Sequence, residues 1–174
     1  MQSPNLEKAE GVPLQFVYEF ELERDGVVVD SWEQVNIVPQ AGVNYMAAAL
    51  FGDIAPIGTF YVGLFENNYL PVPGALSSDL PATIGEFTGY SEGTRPIWNR
   101  VNTNGLITNI ASRAAFTVTA SKRLYGGFLV SSSEKAGVTG LLLSVARFDT
   151  PRDVEAGMVL RVRAELNLIP TNIV

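Results

Sequence analysis

The 174-residue chain carries 12 basic against 18 acidic residues, a net charge of −6, and holds neither cysteine nor histidine. The two missing residue types exclude disulfides, zinc–thiolate sites, histidine-ligated haem and every Ser-His or Cys-His nucleophile pair, and the acidic balance opposes nucleic acid and anionic membrane surfaces. Hydrophobic residues make up 47% and charged residues only 17%, below the usual quarter, so the chain reads as globular with a sparsely charged, adhesive surface.

From the N-terminus, residues 1–12 are polar and patternless and read as a flexible arm. Met1 to Lys8 lacks the basic start and apolar run of a signal peptide, so synthesis in a cytoplasm is the expectation. No stretch reaches the roughly 20 apolar residues that span a bilayer. Leu14, Phe16, Tyr18, Phe20 and Leu22 then alternate with Gln15, Glu19, Glu21 and Glu23, which predicts a half-buried strand. Asp25-Gly26 follows directly and predicts a hairpin turn. The return strand runs from Val27 through Trp32 to about Val38 and stops at Pro39.

Asn44 to Phe51 is the one convincing helical stretch, alanine-rich, with Gly42 before it and Gly52 closing it. At about two turns it requires packing on sheets to be stable. Phe60 to Phe65 is apolar on both faces and reads as a central strand. Glu66 to Arg100 is a long loop dense in Pro and Gly, with a short helical turn predicted at Ser78-Asp79, where Asp79 caps and Pro81 sits in the first turn. Further strands are predicted over Ile107–Ile110, Ala114–Ala120, Tyr125–Val130 and Leu141–Phe148. The last strand has Met158, Leu160, Val162, Ala164, Leu166 and Leu168 facing one way and Arg161, Arg163, Glu165 and Asn167 the other. About eight strands, one short helix and one long crossing loop predict an all-β fold. A single two-sheet sandwich of jelly-roll or Greek-key type over residues 13–174 fits that order.

Catalysis without histidine or cysteine would rest on carboxylates, Lys, Tyr or Ser. Glu19, Glu21 and Glu23 share one face of the first strand, and a carboxylate pair about 5–9 Å apart in a cleft performs glycoside chemistry. Nothing in the pattern marks a cleft, so the expectation is a solvated face. Glu66, Asn67, Asn68 and Asp149 carry oxygen donors, but their spacing departs from the calcium-loop pattern and turn formation accounts for the asparagines. Lys122-Arg123 reads as a hairpin tip. Tyr125-Gly126-Gly127-Phe128 matches no phosphate or dinucleotide loop and reads as a close-packed strand or a bulge. The expectation is a protein that is not an enzyme, with no catalytic residue, no cofactor and no metal.

The aromatic residues of the long loop carry more information. Trp98, following Arg95-Pro96-Ile97, either plugs one end of the sandwich or joins Tyr90 and Arg95 in anchoring another subunit, since Trp, Tyr and Arg dominate interface energetics. Tyr69 and Phe87 complete the set of interface candidates.

Four segments carry a family resemblance: Tyr90-Ser91-Glu92-Gly93-Thr94-Arg95-Pro96-Ile97-Trp98, Ala114 to Val118, Tyr125 to Ser133, and Phe148-Asp149-Thr150-Pro151-Arg152-Asp153-Val154-Glu155-Ala156-Gly157-Met158-Val159-Leu160. In this order they resemble small virion structural proteins of tailed bacteriophages, and are similar to the jelly-roll cement or decoration proteins that sit as trimers on short-tailed phage capsids. The resemblance spans roughly residues 14–169 with loose motifs. It implies a homotrimer that binds the phage major capsid protein on the head surface, and it brings no catalytic residue. Two other classes stay open: a receptor- or glycan-binding module of a fibre, with Trp98, Tyr90 and Tyr69 stacking on sugar, and a tail adaptor or joining protein.

Overall fold

A computed structural model describes residues 14–168, and the arm expected over residues 1–12 lies outside them. Strand β1 (Val17–Arg24) buries Tyr18, Phe20 and Leu22 and turns its glutamates outward, as its period of two requires. Asp25 and Gly26 reverse the chain with φ of 52° and 77° into β2 (Val27–Val35). Helix α1 (Gln40–Phe51) begins before the Asn44 start that the alanine run predicts. The carbonyl of Pro39 accepts the first helical bond, from the N–H of Val43 at 3.0 Å. Gly42 therefore lies inside the helix and marks no boundary. A Cβ there would lie 2.7 Å from the carbonyl oxygen of Leu143, so the bare backbone sets how closely α1 seats on the sheet.

The remaining strands are β3 (Tyr61–Phe65), β4 (Glu86–Phe87), β5 (Val101–Thr103), β6 (Leu106–Thr108), β7 (Ala114–Thr117), β8 (Lys122–Val130), β9 (Leu142–Val154) and β10 (Val159–Asn167). They form two antiparallel sheets. One runs β2-β1-β10-β6-β5, with β7 pairing the other half of β10, and the second runs β4-β3-β8-β9. The chain crosses between sheets after β2, β4, β7 and β9, which makes an all-β sandwich of crossed connections. Single antiparallel bridges lace both edges: Ile37 to Val145 joins the continuation of β2 to β9, and Tyr90 to Val118 joins the continuation of β4 to that of β7.

Ten strands are present among the described residues, against about eight expected. The additions, β4 and β5, are two and three residues long, too short to show a period. β5 and β6 make a hairpin around Asn104-Gly105, with φ of 52° and 88°, a pair that is itself a strong turn signal. β8 starts at Lys122, so Lys122 and Arg123 sit in a strand opposite Val154 and Asp153 and form no hairpin tip. β9 continues past the expected end at Phe148. Its register against β8 breaks between Leu124 and Gly126, and Pro151 sits in that break on an edge strand, where no ladder N–H is needed. Gly126 explains the local packing: a Cβ there would run into the carbonyl of Ala146 and the ring of Phe65.

Two cores result. Tyr18, Phe20, Phe116, Phe148, Leu160 and Val162 fill the space between the sheets. On the opposite face of β3, β8 and β9, Phe65, Phe128, Val130 and Val145 pack against Ala75, Leu80 and Ile84 from the long loop. That second layer is why Phe60 to Phe65 is apolar on both faces. The loop turns through a 3-10 segment at Ser77–Asp79 and a π-type turn at Leu80–Ile84. Asp79 accepts the N–H of Leu76 at 2.9 Å from the third position of the 3-10 segment. At the N-cap of the Leu80–Ile84 turn, the place the sequence predicts for it, its side chain makes no capping bond.

Candidate interaction surface

The interface candidates of the long loop are mostly interior. Trp98 is 4% exposed; its indole N–H donates to the carbonyl of Ala164 at 3.0 Å, and its ring meets Phe16 edge-on at 5.9 Å. It bridges the two sheets at one end of the sandwich. Tyr90 meets Phe116 edge-on at 4.9 Å, and Phe87 lies against Tyr90 at 6.2 Å. Arg95 is fully buried beside Glu86. These four therefore hold the fold together, because a buried side chain offers no surface to a partner. Tyr69 is half-buried, its ring edge-on to Phe65 and its carbonyl accepting from Arg147 at 2.9 Å. Of the three rings a glycan could stack on, Tyr69 is the one that reaches the surface.

The carboxylates of β1 face guanidinium groups rather than each other. Arg113 binds Glu19 and Glu21, each at 2.8 Å, Arg163 reaches Glu19 at 2.9 Å, and Arg161 reaches Glu23 at 2.6 Å. The register places Glu19 opposite Arg163 and Glu21 opposite Arg161, so the expected solvated face is a partly covered ladder of opposite charges. The oxygen donors considered for a cation are dispersed among other partners. Glu66 pairs with Lys122 at 3.2 Å, Asn67 donates to the carbonyl of Ala82 at 3.1 Å, and Asp149 accepts from Gln34 at 3.2 Å. Among the described residues no group of three or more acidic side chains converges as a metal site would require.

Buried polar groups between the sheets form a closed network. The Tyr18 hydroxyl shares a 2.7 Å hydrogen bond with Ser144, Asn36 donates to Ser144 at 2.6 Å, and Asn36 accepts the N–H of Phe16 at 2.6 Å. Burial pushes the Tyr18 hydroxyl well above the ordinary tyrosine range, a rise that the Ser144 bond only partly offsets. Burial does the same at Tyr90, and the nearby Glu86 carboxylate adds to it. Both groups favour the folded state while neutral. Their stabilisation is complete below the unfolded value of about 10 and declines above it, as the unfolded chain releases protons the folded chain retains. In an alkaline titration followed by tyrosinate absorbance, these two tyrosines are expected to ionise only together with loss of near-ultraviolet circular dichroism. Ionisation of all six tyrosines near pH 10, in a chain of intact dichroism, would contradict this.

Exposed apolar side chains are spread over several segments, Val27, Leu70 and Val101 among them, and the two most exposed stand on α1. The helix seats on the sandwich through Gly42, Tyr45 and Met46, with the Tyr45 ring edge-on to Phe60 at 5.9 Å and its hydroxyl accepting the N–H of Ile57 at 2.7 Å. Val43, Leu50 and Phe51 are left outside, the last two 79% and 80% exposed. Sequence reasoning placed the helix and missed this face. The available signal was that Gln40 to Phe51 contains no charged residue. No protein-family model and no curated protein matches the chain.

Proposed function

We propose that the chain is a structural protein of a phage virion, a cement or decoration protein that stabilises the head by bridging major capsid subunits. The observation that carries the reading is the division of its surface: most arginines pair with acidic side chains of the same chain, while large apolar side chains stand exposed on α1. A domain arranged in this way acts by burying surface against neighbours. The resemblance of the Tyr90–Trp98 and Phe148–Leu160 segments to phage cement proteins supports the same role. Bridging contacts exist only in the assembled shell, so the protein stabilises that state by mass action. It works as a homo-oligomer, with a trimer as the form the resemblance implies, on the outer surface of heads assembled in the host cytoplasm.

Immunogold labelling of intact particles tests the proposal. Many copies distributed over the head are expected. A ring at a single vertex would make the protein an adaptor, and unlabelled particles would overturn a virion role.

A further inference from the structure

At the β9 edge of the second sheet, Leu70 and Pro71 of the long loop line an open groove of about 310 Å³ together with Val35, Ile37 and Val145. These apolar walls carry one charge, the guanidinium of the half-buried Arg147 on β9. Among the described residues Arg147 makes no ion pair. Its Nη1 donates to the carbonyl of Tyr69 at 2.9 Å, and its Nε and Nη2 bond no other group. Asp149, two residues along β9, is engaged with Gln34, whose amide donates to its carboxylate at 3.2 Å and accepts its N–H at 2.9 Å. Of the two other polar side chains at the groove, Asn36 is spent on Phe16, Ile37 and Ser144, and Gln15 is uncharged.

We propose that this groove binds a small carboxylic acid with an apolar body of about six to eight carbons, its carboxylate on Arg147 and its body against Ile37 and Leu70. Small-molecule sites are mostly apolar with a few polar groups that fix orientation, and the groove has the size of the smaller ones. Charge complementarity selects the acid. In a chain of net charge −6, a guanidinium without an acidic partner favours a carboxylate, which Nε and Nη2 can grip through two parallel bonds. An uncharged apolar molecule would leave the guanidinium unmatched, and a bare inorganic anion would leave the walls unmatched. The backbone disfavours an extended peptide, because strand addition needs free main-chain groups. At this edge the N–H and carbonyl of Ile37 bond those of Val145, each at 3.0 Å, and the N–H of Asn36 is held by the carbonyl of Phe16 at 3.2 Å. The inference stands apart from the virion role and is tested without a virion.

Titration of the isotope-labelled full chain with octanoate, followed through amide chemical shifts, provides the test, with acetate and octanamide alongside. Saturable shifts at Ile37, Val145 and Arg147 are expected, with a dissociation constant of about 1 mM. Acetate, which lacks the body, and octanamide, which lacks the charge, are expected to bind about tenfold more weakly or worse. Two substitutions are each expected to weaken octanoate binding about tenfold. Arg147→Gln removes the charge and keeps a donor for the Tyr69 carbonyl, and Leu70→Asp places a like charge on the opposite wall. Leu70 is 71% exposed, so Leu70→Asp is expected to fold as wild type does and keeps the test decisive if Arg147→Gln does not fold. No saturable shift up to about 20 mM octanoate overturns the proposal. So does octanamide or acetate that binds as tightly as octanoate, or a Leu70→Asp protein of wild-type affinity.

Discussion

Replacing Glu86 with alanine is expected to cost about 3–5 kcal/mol of folding stability, a large share of what a typical domain possesses. Glu86 and Arg95 meet through two parallel bonds, Nε to Oε1 and Nη2 to Oε2, each 2.7 Å, with both side chains fully buried. The rest of the guanidinium is also occupied: Nη1 donates to the carbonyl of Ser132 at 2.8 Å, and the group lies 5.6 Å from the centre of the Phe128 ring. Glu86 in turn accepts the N–H of Ala136 at 2.9 Å. The pair thus clamps β4, the end of the long loop and the segment between β8 and β9 into one unit. Removing either partner leaves a charge in the interior with nothing opposite it, and that penalty exceeds the modest net value of the pair itself. Arg95→Ala is expected to cost a similar amount. The double variant Glu86→Leu/Arg95→Met is expected to cost much less than the two single changes added, because no lone charge remains. Urea unfolding of the four proteins measures all of this. A Glu86→Ala protein within about 1 kcal/mol of wild type would show that the clamp does not hold the loop.

How much of this was legible depends on how local each signal is. β1 and β10 were legible because alternation over eight or nine residues commits a strand and its buried face at once. The double-sided burial of Phe60–Phe65 was legible as a pattern, but its cause was not, since Ala75, Leu80 and Ile84 cover that face from a loop without periodicity. The glutamates of β1 pointed outward as their alternation required. Their arginine partners depended on the register with β10 and on Arg113 arriving from another segment. Arg95 was ambiguous in principle. Arginine, tyrosine and tryptophan are the residues that anchor interfaces, and they equally serve as large interior side chains when a partner such as Glu86 meets them across the fold. The outer face of α1 was missed for the opposite reason: an alanine-rich helix announces its backbone and says little about which side the sheets leave open.

Trp98→Ala is the second large effect, and it separates the two roles that its sequence context allowed. The indole N–H to Ala164 ties the long loop to β10, while the backbone N–H of Trp98 donates to the carbonyl of Phe60 at 2.8 Å and ties it to the start of β3. The ring also packs on Phe16 and carries the Arg100 guanidinium 5.4 Å from its centre. Truncation to alanine opens a cavity across the gap between the sheets and strands the carbonyl of Ala164, so a loss of about 3–5 kcal/mol is expected. Trp98→Phe retains an aromatic ring in the same slot and loses the hydrogen bond, so a smaller loss of about 1–3 kcal/mol is expected. The discriminating measurement is association under conditions where the variants remain folded. Because 4% of the residue is exposed, Trp98→Phe should associate as wild type does. If Trp98→Ala instead keeps the wild-type unfolding midpoint and weakens association, the long loop is an intersubunit anchor and the burial of Trp98 is not what holds the two sheets together at that end.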